Sequence, residues 1–159
     1  MMRQRSGRYF MDKSLHHRYL LNALFGWLPL ILWMAMIFWL SHQPDLPKLN
    51  RLIGLSDLLF EISAHASVFA VLTVLAWWAM VTWPADSPAL FWRKPIRTAG
   101  GLAAVYGISD ELHQFFVPGR HASVLDWIVD LAGIAVAMVF LRAVQRRWAD
   151  HRERSRAAN

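Results

Sequence analysis

Four long, predominantly apolar stretches constrain what this chain can fold into. They occupy residues 20–40, 62–83, 96–117 and 124–144 of a 159-residue sequence that is 56% hydrophobic. Each stretch has about 20 residues, which is the length that an α-helix needs to cross roughly 30 Å of hydrocarbon. The lengths predict an all-α integral membrane bundle of four transmembrane helices.

The positions of the basic residues predict how this bundle is oriented. Of the 17 Lys and Arg residues, only Lys48, Arg51 and Arg120 fall in the first and third loops between the stretches. The others precede the first stretch, lie around the middle loop or follow residue 141. Because cationic segments next to a span resist translocation, both termini and the middle loop are predicted to be cytoplasmic. This distribution explains the net charge of +6 without a nucleic-acid partner.

The same patterns divide the chain into three parts. A basic cytoplasmic segment is predicted over residues 1–19, a four-helix transmembrane domain over residues 20–144 and a basic, helical cytoplasmic tail over residues 145–159. The chain has no cysteine, which excludes disulfides and thiolate chemistry. It also has no P-loop, dinucleotide-binding fingerprint, zinc-finger pattern or internal repeat that indicates a second domain.

Two local features are predicted from proline and glycine. Pro29 lies inside the first stretch, where it frees a backbone carbonyl and is expected to kink the helix; neighbouring helices must compensate for the lost bond. Residues 117–120, Val-Pro-Gly-Arg, predict a tight turn between the third and fourth helices.

Ionisable residues inside the apolar stretches are the main functional signal. A charge at the centre of a membrane helix costs about 2.5 to 3.5 kcal/mol on insertion scales, so each one needs a partner or a function. The predicted topology brings these residues to the outer half of the membrane, level with Ser41 and His42 and below Arg120, which is available as a counter-charge. We therefore predict a polar pocket that opens to the extracytoplasmic leaflet. Its polar residues on the second, third and fourth helices are Asp57, Glu61, His65, Asp110, Glu111, His113, Gln114, Asp126 and Asp130.

The segment from residue 106 to residue 133 contains a gapless block of characteristic positions: Tyr106, Asp110, Glu111, His113, Gln114, Pro118, Gly119, Arg120, Ser123, Asp126 and Gly133. This block resembles the signature of the VanZ-like family of small bacterial membrane proteins. Weaker similarity extends to Leu40, Ser41, His65 and Leu72, but not to either tail. The resemblance implies a multi-pass protein of the bacterial cytoplasmic membrane and a role in susceptibility to glycopeptide antibiotics such as teicoplanin.

Three positions depart from the family pattern. Asp130 stands where Asn is expected, Ile62 where Lys is common, and Phe69 where Tyr is expected. A second acid without that Lys should alter the charge of the pocket and, with it, the substrate.

An enzyme that acts on an envelope lipid or a lipid-linked precursor is one hypothesis for the pocket. Asp110 or Glu111 would be the general base and His113 its partner, while Arg120 would bind a phosphate or carboxylate. Burial and a nearby guanidinium act in opposite directions on a carboxylic acid, so the two acids could divide the acid and base roles. The predicted substrate-binding residues are Ser41, His65, Gln114, Arg120, Asp126 and Asp130.

Three alternatives remain open from the sequence. Asp110 and His113, with His65 or Asp126, have the spacing of a weak divalent-metal site, although we expect no cofactor. Intramembrane acids and histidines also suit a proton- or ion-coupled transporter. A buried ion network could instead only clamp the helices together. Membrane lipids are the expected partners in every case, with a lipid-linked envelope precursor as the candidate ligand.

Overall fold

The chain is all-helical over the residues that the computed structural model describes, which are 20–21, 23–44, 56–82, 94–120 and 122–157. The predicted segment 1–19, the loop residues Lys48 and Arg51, and His121 lie outside the described residues. Four α-helices form within these residues, and a π-helical turn over Ala23–Trp27 leads directly into the first of them. They are α1 (Leu28–Ser41), α2 (Asp57–Thr82), α3 (Pro95–Phe115) and α4 (Val124–Ala157).

Three of these helical segments are long and apolar enough to cross a membrane. They are Leu24–Ser41, Asp57–Thr82 and Val124–Ala157. The all-α membrane prediction is therefore confirmed, whereas a fourth crossing by α3 and the orientation of the bundle stay predictions. The 21 residues of α3 are less apolar because this helix carries much of the predicted site, including Asp110 and Gln114, which are both buried.

The tail of the chain continues the last helix without a break. α4 has 34 residues, which at 1.5 Å per residue gives a length of about 51 Å. That exceeds the roughly 30 Å of the hydrocarbon core. The predicted boundary at residue 145 therefore falls inside one continuous helix, and the helical tail that the sequence predicts is confirmed up to Ala157.

Helix α1 shows how a neighbouring helix compensates for Pro29. A proline has no N–H, so the carbonyl of Phe25, four residues earlier, loses its usual α-helical donor. The indole Nε1 of Trp78 on α2 donates to this carbonyl oxygen at 3.2 Å. The π-helical turn over Ala23–Trp27 immediately precedes the proline.

The core is built around α2, which packs against α1, α3 and α4. Its inner face offers Phe69, Leu72, Thr73, Ala76 and Ala79, all of which are fully or almost fully buried. Small side chains on the facing helices let the backbones approach closely, as is usual in membrane bundles. The main partners from the other helices are Leu30, Ile37, Ala99, Ala103 and Ile134.

Gly133 of α4 lies directly against the backbone of Ala66 on α2. A Cβ atom built on Gly133 would overlap the carbonyl oxygen of Ala66. The obstacle is backbone, which cannot rotate away as a side-chain tip can. The helices can therefore stay at this distance only with glycine at position 133.

We predict that Gly133→Ala destabilises the bundle by about 1 to 3 kcal/mol, the usual cost of overpacking a core. Thermal unfolding in detergent measures the effect. Gly101→Ala is the matched control, because nothing lies within 4 Å of a Cβ at Gly101 and alanine is the better helix former. Equal melting temperatures for the two variants would contradict the close packing of α2 on α4.

We predict that the two ends of α3 lie on opposite sides of the membrane. The chain has no cysteine, so Lys94→Cys and Ala122→Cys each create a single thiol. In spheroplasts, a membrane-impermeant maleimide should label Ala122→Cys, whereas Lys94→Cys should react only after lysis. Labelling of both thiols before lysis would show that α3 does not cross, and the reverse pattern would invert the topology.

Candidate functional site

A cavity opens between α1, α2 and α3, below the turn that leads into α4. It encloses about 460 Å³, part of which is open at its mouth. Its wall is mostly apolar and also includes several hydrogen-bonding side chains, so the cavity is amphipathic in composition. The apolar lining comes from Ile37, Leu40, Ala64, Val68 and Phe69, and the polar lining from Ser41, His65, Asp110, Gln114 and Arg120.

Asp110 organises one polar network along this wall. Its Oδ2 accepts a hydrogen bond from the Ser41 hydroxyl at 2.8 Å and another from the Gln114 side-chain amide at 3.0 Å. Asp110 and Gln114 meet because residues four apart lie on one helical face. The other oxygen of Asp110, Oδ1, is buried and has no hydrogen-bond partner among the described residues.

His65, Asp130 and Glu111 form a second network, between α2, α3 and α4. The Nδ1 atom of His65 lies 3.2 Å from Oδ1 of Asp130, whose side chain is 1% exposed. One potential ligand atom from each of the three residues falls within 4.8 Å of the other two. Within the described part of the chain, Oε1 of Glu111 and Oδ2 of Asp130 are buried without hydrogen-bond partners.

Glu111 also fixes the start of α4. Its Oε2 accepts the backbone N–H of Ser123 at 2.7 Å. The Ser123 hydroxyl oxygen in turn accepts the backbone N–H of Asp126 at 3.3 Å, as an N-cap residue does. In a capping box the side chain of the third helical residue accepts the N–H of the N-cap residue. Here Glu111 of α3, and not Asp126, accepts the N–H of Ser123. Asp126 thus lies in the first turn of α4, close to the second network.

His113 takes part in neither network. Its Nε2 lies 3.4 Å from Nδ1 of His42, and its ring is 4.2 Å from that of Phe38 on α1. The structure thus places His113 against His42 and Phe38, and its role as the partner of Asp110 or Glu111 stays a prediction. Residues two apart on a helix point to nearly opposite sides, so Glu111 faces α4 while His113 faces α1.

The predicted turn between α3 and α4 is confirmed. The N–H of Arg120 donates to the carbonyl of Val117 at 3.1 Å, and Gly119 has a φ of +82°. Proline followed by a residue with positive φ is typical of a type II turn, which favours glycine at the latter position. The turn brings the side chain of Arg120 to the cavity.

Arg120 forms no ion pair within 4.0 Å among the described residues. The ion pair of the site instead joins His65 to Asp130. Its Nε is buried without a hydrogen-bond partner. The side chain lines the cavity instead of reaching the carboxylates, which leaves the guanidinium available to a ligand.

The sequence around this site matches a known family. The family model described as VanZ/LLP1 matches residues 25–145, which include every helix that contributes to the cavity. The chain belongs to the VanZ-like family. A search of curated proteins and a search of solved structures each found no match.

The VanZ-like chain brings most of the predicted site residues together, but in two groups. Ser41, Asp110, Gln114 and Arg120 line the cavity. Glu111, Asp126 and Asp130 gather behind it, and His65 belongs to both groups. The weak metal set of Asp110, His113 and His65 is not assembled, since Asp110 and His113 have other partners.

Sequence reasoning missed the His42–His113 contact and the capping role of Glu111. The pattern Ser-x-x-Asp at residues 123–126 signals a helix start and could have revealed the N-cap. No local pattern indicates that its N–H is satisfied by a residue of α3, because that contact depends on the packing of two helices.

We predict that Ser41→Ala lowers the stability of the VanZ-like bundle by about 1 to 3 kcal/mol, because the buried carboxylate of Asp110 loses a donor. Thermal unfolding of the purified protein measures the change. Ser109→Ala is the matched control, since Ser109 is exposed and donates only to the carbonyl of Tyr106 in its own helix. A loss of stability in Ser109→Ala as large as in Ser41→Ala would refute this role of Ser41.

Proposed function

We propose that this VanZ-like protein binds or chemically modifies a lipid or lipid-linked precursor of the bacterial cell envelope, from the outer side of the cytoplasmic membrane. The observation that carries the proposal is the amphipathic cavity with Arg120 at its wall. A guanidinium whose Nε is buried and unpartnered among the described residues suits a phosphate or carboxylate headgroup. The apolar residues of the same cavity suit an acyl or prenyl chain.

The two networks favour different roles for the acids. Asp110 accepts a hydrogen bond from the Ser41 hydroxyl at 2.8 Å, so it is positioned to act as a base towards that hydroxyl. Glu111 lies beside His65 instead of His113. The proposed catalytic set is therefore Asp110 and Glu111, with His65 replacing His113 as the imidazole that acts with Glu111.

Family membership supports a consequence at the cell surface. The resemblance of residues 106–133 to the VanZ-like signature implies a role in susceptibility to teicoplanin-type glycopeptides. We therefore propose that a change in an envelope precursor would alter this susceptibility. Such antibiotics act on extracytoplasmic cell-wall material, which fits the predicted outward face of the cavity. The proposed location is the cytoplasmic membrane of a bacterium, with both termini inside.

Mass-spectrometric profiling of envelope lipids and cell-wall precursors tests this proposal. Cells would express wild type, Glu111→Gln, Arg120→Gln or an empty vector, with protein levels in the membrane matched. We expect a species that changes in abundance with wild type and returns to the empty-vector level in Glu111→Gln, because the base is lost. Arg120→Gln should reduce the same change by about 10- to 100-fold at limiting substrate, as a lost charged contact of about 1.5 to 3 kcal/mol predicts.

Glu61→Gln is the matched control, because Glu61 is exposed on α2 and lies outside both networks. It should behave as wild type in the lipid profile and in teicoplanin susceptibility. If all profiles match the empty vector while wild-type protein is folded and present, the enzymatic form of the proposal fails. Binding of labelled precursors to purified protein, abolished in Arg120→Gln, would then decide whether the protein only binds.

A further inference from the structure

The group formed by His65, Glu111 and Asp130 holds two carboxylates and one imidazole, so a protonated His65 could balance only one of the two acids. Two carboxylates meet there between three helices, and Asp126 and Asp110 both interact electrostatically with Asp130. Within the described residues no Lys or Arg forms an ion pair with either Glu111 or Asp130. An uncompensated carboxylate in a poorly hydrated interior is costly, so such a site needs a proton or a metal ion.

The hydrogen bonds leave one oxygen of each carboxylate unused. Asp130 directs Oδ1 to His65 and Glu111 directs Oε2 to the N–H of Ser123. Their second oxygens, Oδ2 of Asp130 and Oε1 of Glu111, are buried with no partner in the described part of the chain. These oxygens belong to the residues whose potential ligand atoms fall within 4.8 Å of one another.

One separation in this group, that of the hydrogen-bonded pair His65 and Asp130, suits a small ion bound by nitrogen and oxygen, and Glu111 offers a ligand atom within 4.8 Å of both. Two ligands at about 2.0 to 2.1 Å from a tetrahedral zinc ion lie about 3.4 Å apart. The Nδ1 atom of His65 and Oδ1 of Asp130 are 3.2 Å apart. One imidazole and two carboxylates satisfy the ligand preferences of zinc, and three protein ligands leave a fourth position open.

We propose that His65, Glu111 and Asp130 bind one zinc-type divalent cation. The site deepens the proposed function, on which it rests in part: an ion held by Glu111 and His65 would replace their acid–base role and leave Asp110 as the general base, whereas binding of the ion itself needs no lipid. It differs from the set that the residue spacing suggested, since neither Asp110 nor His113 takes part. His65 also lines the cavity, so the open position of the ion would lie next to the space for a ligand.

Zinc binding by purified protein tests the site without any lipid substrate. The protein would carry a tag without histidine, be stripped with chelator, be incubated with excess Zn²⁺ and be dialysed. Elemental analysis should find about one zinc per wild-type chain. Glu111→Gln keeps a side-chain oxygen for the N–H of Ser123, so we expect it to fold and to lose bound zinc by roughly tenfold or more.

His65→Gln should lose zinc in the same way, and zinc should raise the melting temperature of wild type but not of these variants. His113→Gln is the matched control, because His113 contacts His42 outside the cluster; it should keep its zinc. Folded wild type without zinc would overturn the proposal and would favour protonated carboxylates. Loss of zinc in His113→Gln, with retention in His65→Gln and Glu111→Gln, would assign the metal to the His42–His113 pair and would equally overturn it.

Discussion

The contact between Gly133 and Ala66 is the constraint on which the arrangement of the site depends. It brings the backbones of α2 and α4 so close that no side chain fits between them. His65 is the residue before Ala66, and Asp130 lies three positions, or nearly one helical turn, before Gly133. The 3.2 Å contact of His65 with Asp130 is therefore a direct consequence of helix packing. The small residues Gly133 and Ala66 thus determine where His65 and Asp130 meet.

Two polar side chains elsewhere in the bundle are paired across helices, as an environment without water favours. The Tyr106 hydroxyl donates to the carbonyl of Met34 at 2.6 Å, and the indole of Trp33 donates to the carbonyl of Val68 at 3.1 Å. These bonds join α3 to α1 and α1 to α2, around the apolar core. Most of the buried unpartnered polar atoms of the described residues, by contrast, belong to Asp110, Glu111, Arg120 and Asp130. These residues are concentrated at one end of the bundle, where the proposed ligand would bind.

Much of this architecture could be predicted from the sequence because it depends on local rules. Apolar length predicts the helices, residues 117–120 predict the turn, and Pro29 predicts a carbonyl that needs a donor from elsewhere. The donor itself, Trp78, could not be predicted, since its position depends on how α2 packs against α1. The division of the acids into two networks could not be predicted for a similar reason. Helical rotation separates Glu111 from His113, but only the packing of α4 shows that Glu111 contacts Ser123 and lies beside Asp130.

The two networks differ in composition, and this difference bears on how they would work together. Asp110 accepts hydrogen bonds from two uncharged groups, Ser41 and Gln114, at the wall of the cavity. In the other network His65 contacts Asp130 at 3.2 Å, and Glu111 offers a ligand atom within 4.8 Å of both. A positive ion at that cluster would attract the anionic headgroup that Arg120 is proposed to bind, because His65 faces the same cavity. With protonated acids at the cluster instead, Arg120 would be the main source of positive charge for that headgroup among the cavity-lining residues.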